Sequence, residues 1–151
     1  METNCAERVL TIRLATEADV PRLVEMGLRF RSETTYSKYL AENPDRMAEL
    51  ARQLIARDGV LVLDREGVTV GMFGYFIHSH FISGEMFAGE VFWWVEPEFR
   101  GDGLKLIEEA KRRARLAGAK KLQMIAPNKR VARLYGRLGY EWVESTHQIA
   151  L

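Results

Sequence analysis

The sequence predicts a mixed α/β domain folded around one sheet. Three observations carry that prediction. Stretches with the period of a strand and stretches with the period of a helix follow one another in the order β-α-α-β-β-β-α-β-α-β. The segment Glu90-Val91-Phe92-Trp93-Trp94-Val95 is almost unbroken apolar sequence, as a central strand covered on both faces requires. Residues 103–117 put Leu106, Ile107, Ala110, Ala114 and Ala117 on one helical face, and Glu108, Lys111, Arg112 and Arg115 on the other.

The elements follow in order. Residues 9–14 alternate and are rich in β-branched side chains, which predicts a first strand. Thr16 followed three residues later by Asp19 resembles a helix start, and Val20, Leu23, Val24 and Leu28 recur behind it at helical spacing. Residues 31–43 are polar with two tyrosines and read as a loop or a broken helix. Pro44 suits the first turn of a second helix, with Met47, Leu50, Leu54 and Ile55 on one face and an end near Gly59. Residues 60–63 predict a short strand and Arg65-Glu66-Gly67 a turn. Residues 68–80 predict a long strand whose glycines, Gly71 and Gly74, mark a bulge or a close backbone approach. Ser83-Gly84 breaks it before the run at 90–95. Gly118 stops the helix at 103–117. Residues 121–125 then predict a strand, 128–137 an amphipathic helix closed by Gly139, and 140–151 a last strand, whose edge offers a place for a second copy to pair.

Composition bounds the function. The chain has 151 residues, 47% hydrophobic and 28% charged, which is ordinary globular usage, and neither a linker nor a repeat divides it; one domain over residues 1–151 is expected. No apolar run approaches the ~20 residues of a membrane span, and the first ten residues carry no leader pattern. Cys5 is the one cysteine, which excludes an internal disulfide framework and a cysteine-based zinc finger and makes a cytoplasmic, reduced setting the expectation. The net charge of +1 hides an asymmetry. Residues 100–137 carry twelve Lys/Arg against three Asp/Glu, and the remainder is acidic. That split suits an anion held by the basic segment and a cation met by the rest.

Two motifs carry chemistry. Val95-Glu96-Pro97-Glu98-Phe99-Arg100-Gly101-Asp102-Gly103 joins the apolar strand to the basic helix. Backbone N–H groups at a helix start bind phosphate oxygens, glycines let the backbone approach, and Arg100 adds a two-pronged donor. The spacing is neither that of a Walker loop nor a full dinucleotide fingerprint. Downstream, Asn128, Val131, Tyr135 and Gly139 step by three and four and share one helix face. A core face with Asn128 as cap accounts for them. So does a tyrosine presenting its hydroxyl to a reacting atom.

The two motifs, about 25 residues apart, together with the opening Ile12-Arg13-Leu14-Ala15-Thr16-Glu17-Ala18-Asp19, resemble the GNAT superfamily of acetyl-CoA-dependent N-acetyltransferases. The resemblance implies a mostly antiparallel central sheet with helices on both faces. It implies that Arg100, Gly101, Asp102, Gly103 and the following Leu104 and Lys105 cradle the pyrophosphate of acetyl-CoA. The main chain around Trp93, Trp94 and Val95 would pair with the pantetheine arm, and Asn128 would contact the pantetheine or phosphate region. Tyr135 would protonate the departing thiolate. The sequence departs from the family in one place: a small residue usual two positions after Gly103 is missing and the turn is shorter. Lys105 stands where a backbone donor is lost.

Acyl transfer to an amine also needs a base and a stabilised carbonyl oxygen. Glu90 is the candidate base, with burial raising its pKa, and Glu85 is the runner-up. Backbone N–H groups near Trp94 and Val95, freed by a splay or bulge, are the candidate oxyanion donors. His78 and His80 share a strand face, but only distant His147 offers a third ligand, so no metal is expected. Trp93 and Trp94 point to opposite faces, one into the core and the other towards the acceptor. The acceptor is an amine of a small molecule, peptide or protein, and nothing in residues 31–43 or 81–89 identifies it. A CoA-binding protein without catalysis is the alternative reading. A nucleic-acid-binding module, using Lys111, Arg112, Arg113, Arg115, Lys120, Lys121, Arg133 and Arg137, is a weaker one. The pI of 7.9 and the absence of a nucleic-acid motif argue against it.

Overall fold

A computed structural model describes residues 9–151, so Cys5 lies outside the described residues. Five strands form one sheet in the order β1-β2-β3-β4-β5: β1 (Leu10–Leu14), β2 (Val60–Arg65), β3 (Val68–Ser79), β4 (Met86–Val95) and β5 (Lys121–Gln123). The first four are antiparallel neighbours, and β5 lies parallel to β4. Helices α1 (Val20–Ser32) and α2 (Pro44–Ile55) cover one face. Helix α3 (Gly103–Leu116) covers the other, and α4 (Lys129–Arg137) packs Tyr135 against Trp93 on that side.

The core explains the layers. Val60–Leu63 is buried on both sides of the sheet: Val60 and Val62 meet Leu23, Met26 and Leu54 of the first helix pair, while Leu61 and Leu63 meet Leu106, Ile107 and Ala110 of α3. Local chemistry starts the helices. The Asp19 carboxylate accepts the Thr16 N–H at 2.8 Å, and a 3₁₀ turn over Glu17–Asp19 leads into α1. The Asn43 side-chain Oδ1 accepts the Arg46 N–H at 3.0 Å ahead of Pro44.

Several expectations are corrected. Residues 140–151 form no strand. Beyond the Tyr140 N–H bond to the Tyr135 carbonyl (3.0 Å), no backbone pairing holds this segment, and Trp142, Val143 and Ile149 are exposed. Val143, Ile149 and Leu151 would share one face of a strand, but polar Ser145 and His147 interrupt it, and the segment meets no partner strand in the sheet. Leu138 of the neighbouring helix end is exposed for want of that cover, and Ala117, past the end of α3, faces out. The loop at 95–103 is a 3₁₀ helix over Pro97–Asp102. Strand β4 starts earlier than expected, at Met86, and β5 ends earlier, at Gln123. No helix among the described residues is long and apolar enough to cross a membrane.

Candidate active site

Strand β4 pairs with β5 only through Phe87, Ala88 and Gly89, opposite Lys121, Leu122 and Gln123. Beyond Gly89 the two part. Residues 90–95 keep β3 on one side and have no strand on the other, so alternate amides and carbonyls there are open to an extended ligand. A bulge sits where the strands part. Gly74 faces Phe92 and Tyr75 faces Glu90, which leaves Val91 as an extra residue. Its effect on side-chain direction is visible: Val91 and Phe92, though adjacent, both pack on the α1/α2 side. The Phe92 ring lies over Gly74, where a Cβ would come within 2.4 Å of it, so this close approach needs glycine. The strand irregularity thus falls at Val91, next to Glu90, and not at Trp94 and Val95 as expected.

Glu90 is 7% exposed at the point of parting. Its carboxylate accepts the Ile125 N–H at 3.0 Å and has no cation beside it. Burial raises its pKa from 4.5 to about 7, and the single backbone bond only partly opposes this. The Tyr135 hydroxyl donates to the carbonyl of the same Ile125 at 3.4 Å. One peptide residue therefore ties the candidate base and the candidate acid together. Burial, then the charge of Glu90, raises the Tyr135 pKa, which keeps the phenol protonated. Tyr135 stacks on Trp93 with centroids 6.2 Å apart and leans on Tyr140 at 5.6 Å. Both tryptophans are core-facing, on opposite sides: Trp93 towards α3 and α4, Trp94 towards α1.

The turn into α3 is built for close approach. A Cβ on Gly103 would lie 2.9 Å from Val95 Cγ2, so only glycine lets the helix start sit on the end of β4. Nothing stands within 4 Å of a Cβ at Gly101. Leu104 and Lys105 follow in the first turn; the 3₁₀ helix runs directly into it, and the Gly103 N–H donates to the Arg100 carbonyl. Beside them the Trp93 Nε1 is buried and has no hydrogen-bond partner among the described residues. It lies 3.6 Å from where a Gly103 Cβ would be. The side chains of the loop are turned inward. Arg100 donates to the Val95 carbonyl at 3.3 Å, covers the Trp94 ring at 5.1 Å and faces Glu33 at 3.6 Å. Lys105 pairs with Asp102 at 2.8 Å. Buried Glu96 anchors the loop to α1 through Arg22 (3.1 Å) and Arg29.

Asn128 caps α4, its side-chain oxygen accepting the Val131 N–H at 3.0 Å. Glu85 is exposed in the β3–β4 hairpin, where its carbonyl accepts the His80 N–H at 2.8 Å, away from Glu90. His78 and His80 lean on Phe76, Phe81 and Phe87. Ile125 escapes sequence reasoning, and for Tyr36 the sequence offers only an aromatic in a loop that suggests a partly apolar acceptor pocket or a partner surface. Ile125 acts through its backbone, which no side chain announces. Tyr36, on a 3₁₀ turn over Thr35–Lys38, reaches the same place from the other side of the sheet. Burial and then the charges of Tyr39 and Glu90 raise its pKa. The Thr35 hydroxyl donates to the Pro127 carbonyl at 3.1 Å and fastens this turn across the gap.

No curated protein sequence matches the chain. Solved structures share its fold. An acetyltransferase of Trypanosoma brucei is 21% identical, with a TM-score of 0.70 over 95% of this chain and 100% of that one. An aminoglycoside acetyltransferase from an uncultured soil metagenomic sample is 19% identical, with a TM-score of 0.72 over 96% and 98%. An acetyltransferase from Clostridium acetobutylicum, described as predicted and solved with acetyl-CoA, is 12% identical, with a TM-score of 0.72 over 94% and 96%. The family model of the acetyltransferase (GNAT) family matches residues 25–140, which take in the C-terminal part of α1, the parting of β4 from β5, the turn into α3 and Tyr135, and the chain belongs to that family.

Proposed function

We propose that the protein transfers the acetyl group of acetyl-CoA to an amine by direct attack, with Glu90 as base and Tyr135 as acid. The observation that carries this reading is a buried carboxylate with no cation, held by the same peptide residue as a buried phenol. The free edge of β4, the Trp93 Nε1 without a partner and the glycine approach at Gly103 fit an extended ligand with a pyrophosphate group. Acetyl-CoA supplies an activated thioester carbonyl. Residues 90–95 hold the pantetheine arm as an added strand, and the α3 start, with Gly101 and Gly103, receives the phosphates. Arg100 and Lys105 leave Glu33 and Asp102 to reach them. Glu90 takes the proton that the amine nitrogen sheds as the carbon–nitrogen bond forms. Tyr135 gives its proton to sulfur as the carbon–sulfur bond breaks. Water returns a proton from Glu90 to Tyr135, so one amine proton ends on the thiol. Amides at the Val91 bulge stabilise the carbonyl oxygen.

The inward turn of Arg100 and the Lys105–Asp102 pair favour the second reading, CoA binding without catalysis. Calorimetry with acetyl-CoA, CoA and ATP, followed by a pH–rate profile with thiol detection, separates the two. Binding of both CoA species but not ATP, with kcat/KM rising through a pKa near 7, is expected. CoA binding without thiol release from any amine supports the second reading. No CoA binding at all overturns both.

A further inference from the structure

A cavity of about 330 Å³ opens beside the bulge on the α1/α2 face. Leu23, Gly27 and Phe30 of α1, Met47 and Leu50 of α2, and Val91 and Phe92 of β4 form most of its wall. No acidic side chain lines it. Its one charged neighbour, Arg31, is spent on the Leu40 carbonyl at 2.6 Å and on Glu42 at 3.5 Å. Tyr36 stands in the wall with its ring against Phe30, centroids 5.4 Å apart, and brings the cavity's one phenolic hydroxyl. The connection to chemistry is direct. Val91 lines the cavity and follows Glu90 in the chain, and the bulge is what turns Val91 and Phe92 together into the wall. Thr35, the chain neighbour of Tyr36, bonds the Pro127 carbonyl across the gap between β4 and β5, so the cavity wall reaches the gap at which Glu90 stands.

Resting on the acetyl-transfer reading, we propose that this cavity receives the apolar body of the acceptor, and that the acceptor is a primary monoamine on a short arm from an aryl group. The volume argues for size. A dry apolar cavity of about 150 Å³ holds one benzene ring, so twice that space takes a ring with its arm or a fused pair of rings. The lining argues for class. A polyamine or aminoglycoside carries several ammonium groups, and each would enter a wall without a carboxylate to meet it. A single amine escapes that cost, because its body fills the cavity while its nitrogen stays at the mouth with Glu90 and the Tyr36 hydroxyl. Gly27 makes the room: a Cβ there would meet only the flexible Met47 sulfur, at 3.4 Å.

The test compares 2-phenylethylamine and tryptamine with spermidine and kanamycin in the wild type and in Gly27→Leu. Leucine favours a helix interior over glycine, so the variant folds, and a Kd for acetyl-CoA equal to that of the wild type verifies the rest of the site. The aryl amines are expected to exceed the polycations at least tenfold in kcat/KM, and Gly27→Leu is expected to raise their KM at least tenfold. Equal or better turnover of the polycations, or an unmoved KM in the variant, overturns the assignment. Calorimetry of 2-phenylethylamine in the presence of CoA separates this proposal from the one beneath it. Binding that Gly27→Leu abolishes, without turnover of any amine, removes the transfer reading and keeps the cavity assignment. Binding that the variant leaves intact overturns the assignment whatever the turnover.

Discussion

Asp19 and Glu90 are both 7% exposed, yet their surroundings drive them in opposite directions. At the foot of α1, Asp19 accepts two bonds from Arg13 (2.8 and 2.9 Å), one from the Thr16 N–H and one from the Thr69 hydroxyl (3.3 Å). Those donors, the Arg13 guanidinium first, hold its pKa down at about 2. Glu90 has one backbone donor and no cation, and rises to about 7. Little of either side chain meets solvent, but Glu90 lies deeper and has fewer donors, and both differences push its pKa up relative to that of Asp19. Asp19 is ionised at every physiological pH and ties β1, the start of α1 and β3 together, while Asp64 extends the knot by accepting from Arg13 Nε at 3.0 Å. Glu90 stands poised between charge states where the sheet opens. A region built for stability satisfies its carboxylate, and the region built for chemistry leaves its carboxylate short of donors.

The largest effect that sharpens this contrast is expected from Glu90→Gln. As the base, Glu90 contributes on the order of 10²–10⁴-fold to turnover. Its loss should flatten the pH–rate profile, with the Kd for acetyl-CoA unchanged. Stability should move the other way. The folded pKa of about 7 lies above the ordinary value of 4.5, so the native state binds the proton more tightly. Wild-type stability therefore falls as pH rises from about 4.5 to 7, by about 3 kcal/mol. Glutamine does not titrate, so the variant should gain on the wild type across that window, as urea unfolding at pH 5 and pH 8 would reveal. An equal difference at both pH values would mean that Glu90 is ordinarily solvated.

Asp19→Ala should show the opposite sign. Removing the carboxylate leaves Arg13 and the Thr16 N–H without their acceptor and should cost about 3 kcal/mol at pH 7. The folded pKa of about 2 lies below the ordinary 3.8, so the contribution is complete above that value and fades as pH falls through about 2. The wild type and variant should converge in acid, and acetyl-CoA binding should not change. Divergence in acid would contradict the assignment of Asp19 as a structural ion.

Much of this contrast is legible in the sequence, because it rests on local patterns. The Thr16–Asp19 cap, the apolar run that ends in Val95 and the glycines around Arg100 are short-range signals, and the structure puts them at a helix start, in β4 and at the turn into α3. Glu90 is legible as the one acid at the head of an apolar strand. What the sequence hides is non-local. The parting of β4 from β5 depends on where β5 stops, and the three residues of β5 resemble the two that follow them. The extra residue at Val91 shows only against the register of β3. Tyr36 lies far along the chain from Glu90, in a segment with no period. A last strand over 140–151 would have an apolar face broken by Ser145 and His147, and the chain beyond Tyr140 is unpaired.

The finest test of the contrast removes one donor and leaves everything else. The Thr69 hydroxyl donates to Asp19 Oδ1, the oxygen that also accepts from Arg13 Nη2, and Thr69 is buried. Thr69→Val keeps the shape and the β-branch that suits β3, and deletes that bond alone. The expected cost is about 1 kcal/mol at neutral pH, the usual net value of one hydrogen bond. The acid limb of the stability curve should also move to higher pH, since the lost donor had favoured the charged form. Turnover should be untouched, because Asp19 belongs to the knot and not to the gap. If Thr69→Val instead altered the pH dependence of kcat/KM, the two carboxylates would be coupled through β3, and the separation of a structural from a chemical region would fail. An intact rate profile beside a shifted stability profile would establish that each carboxylate answers only to its own partners.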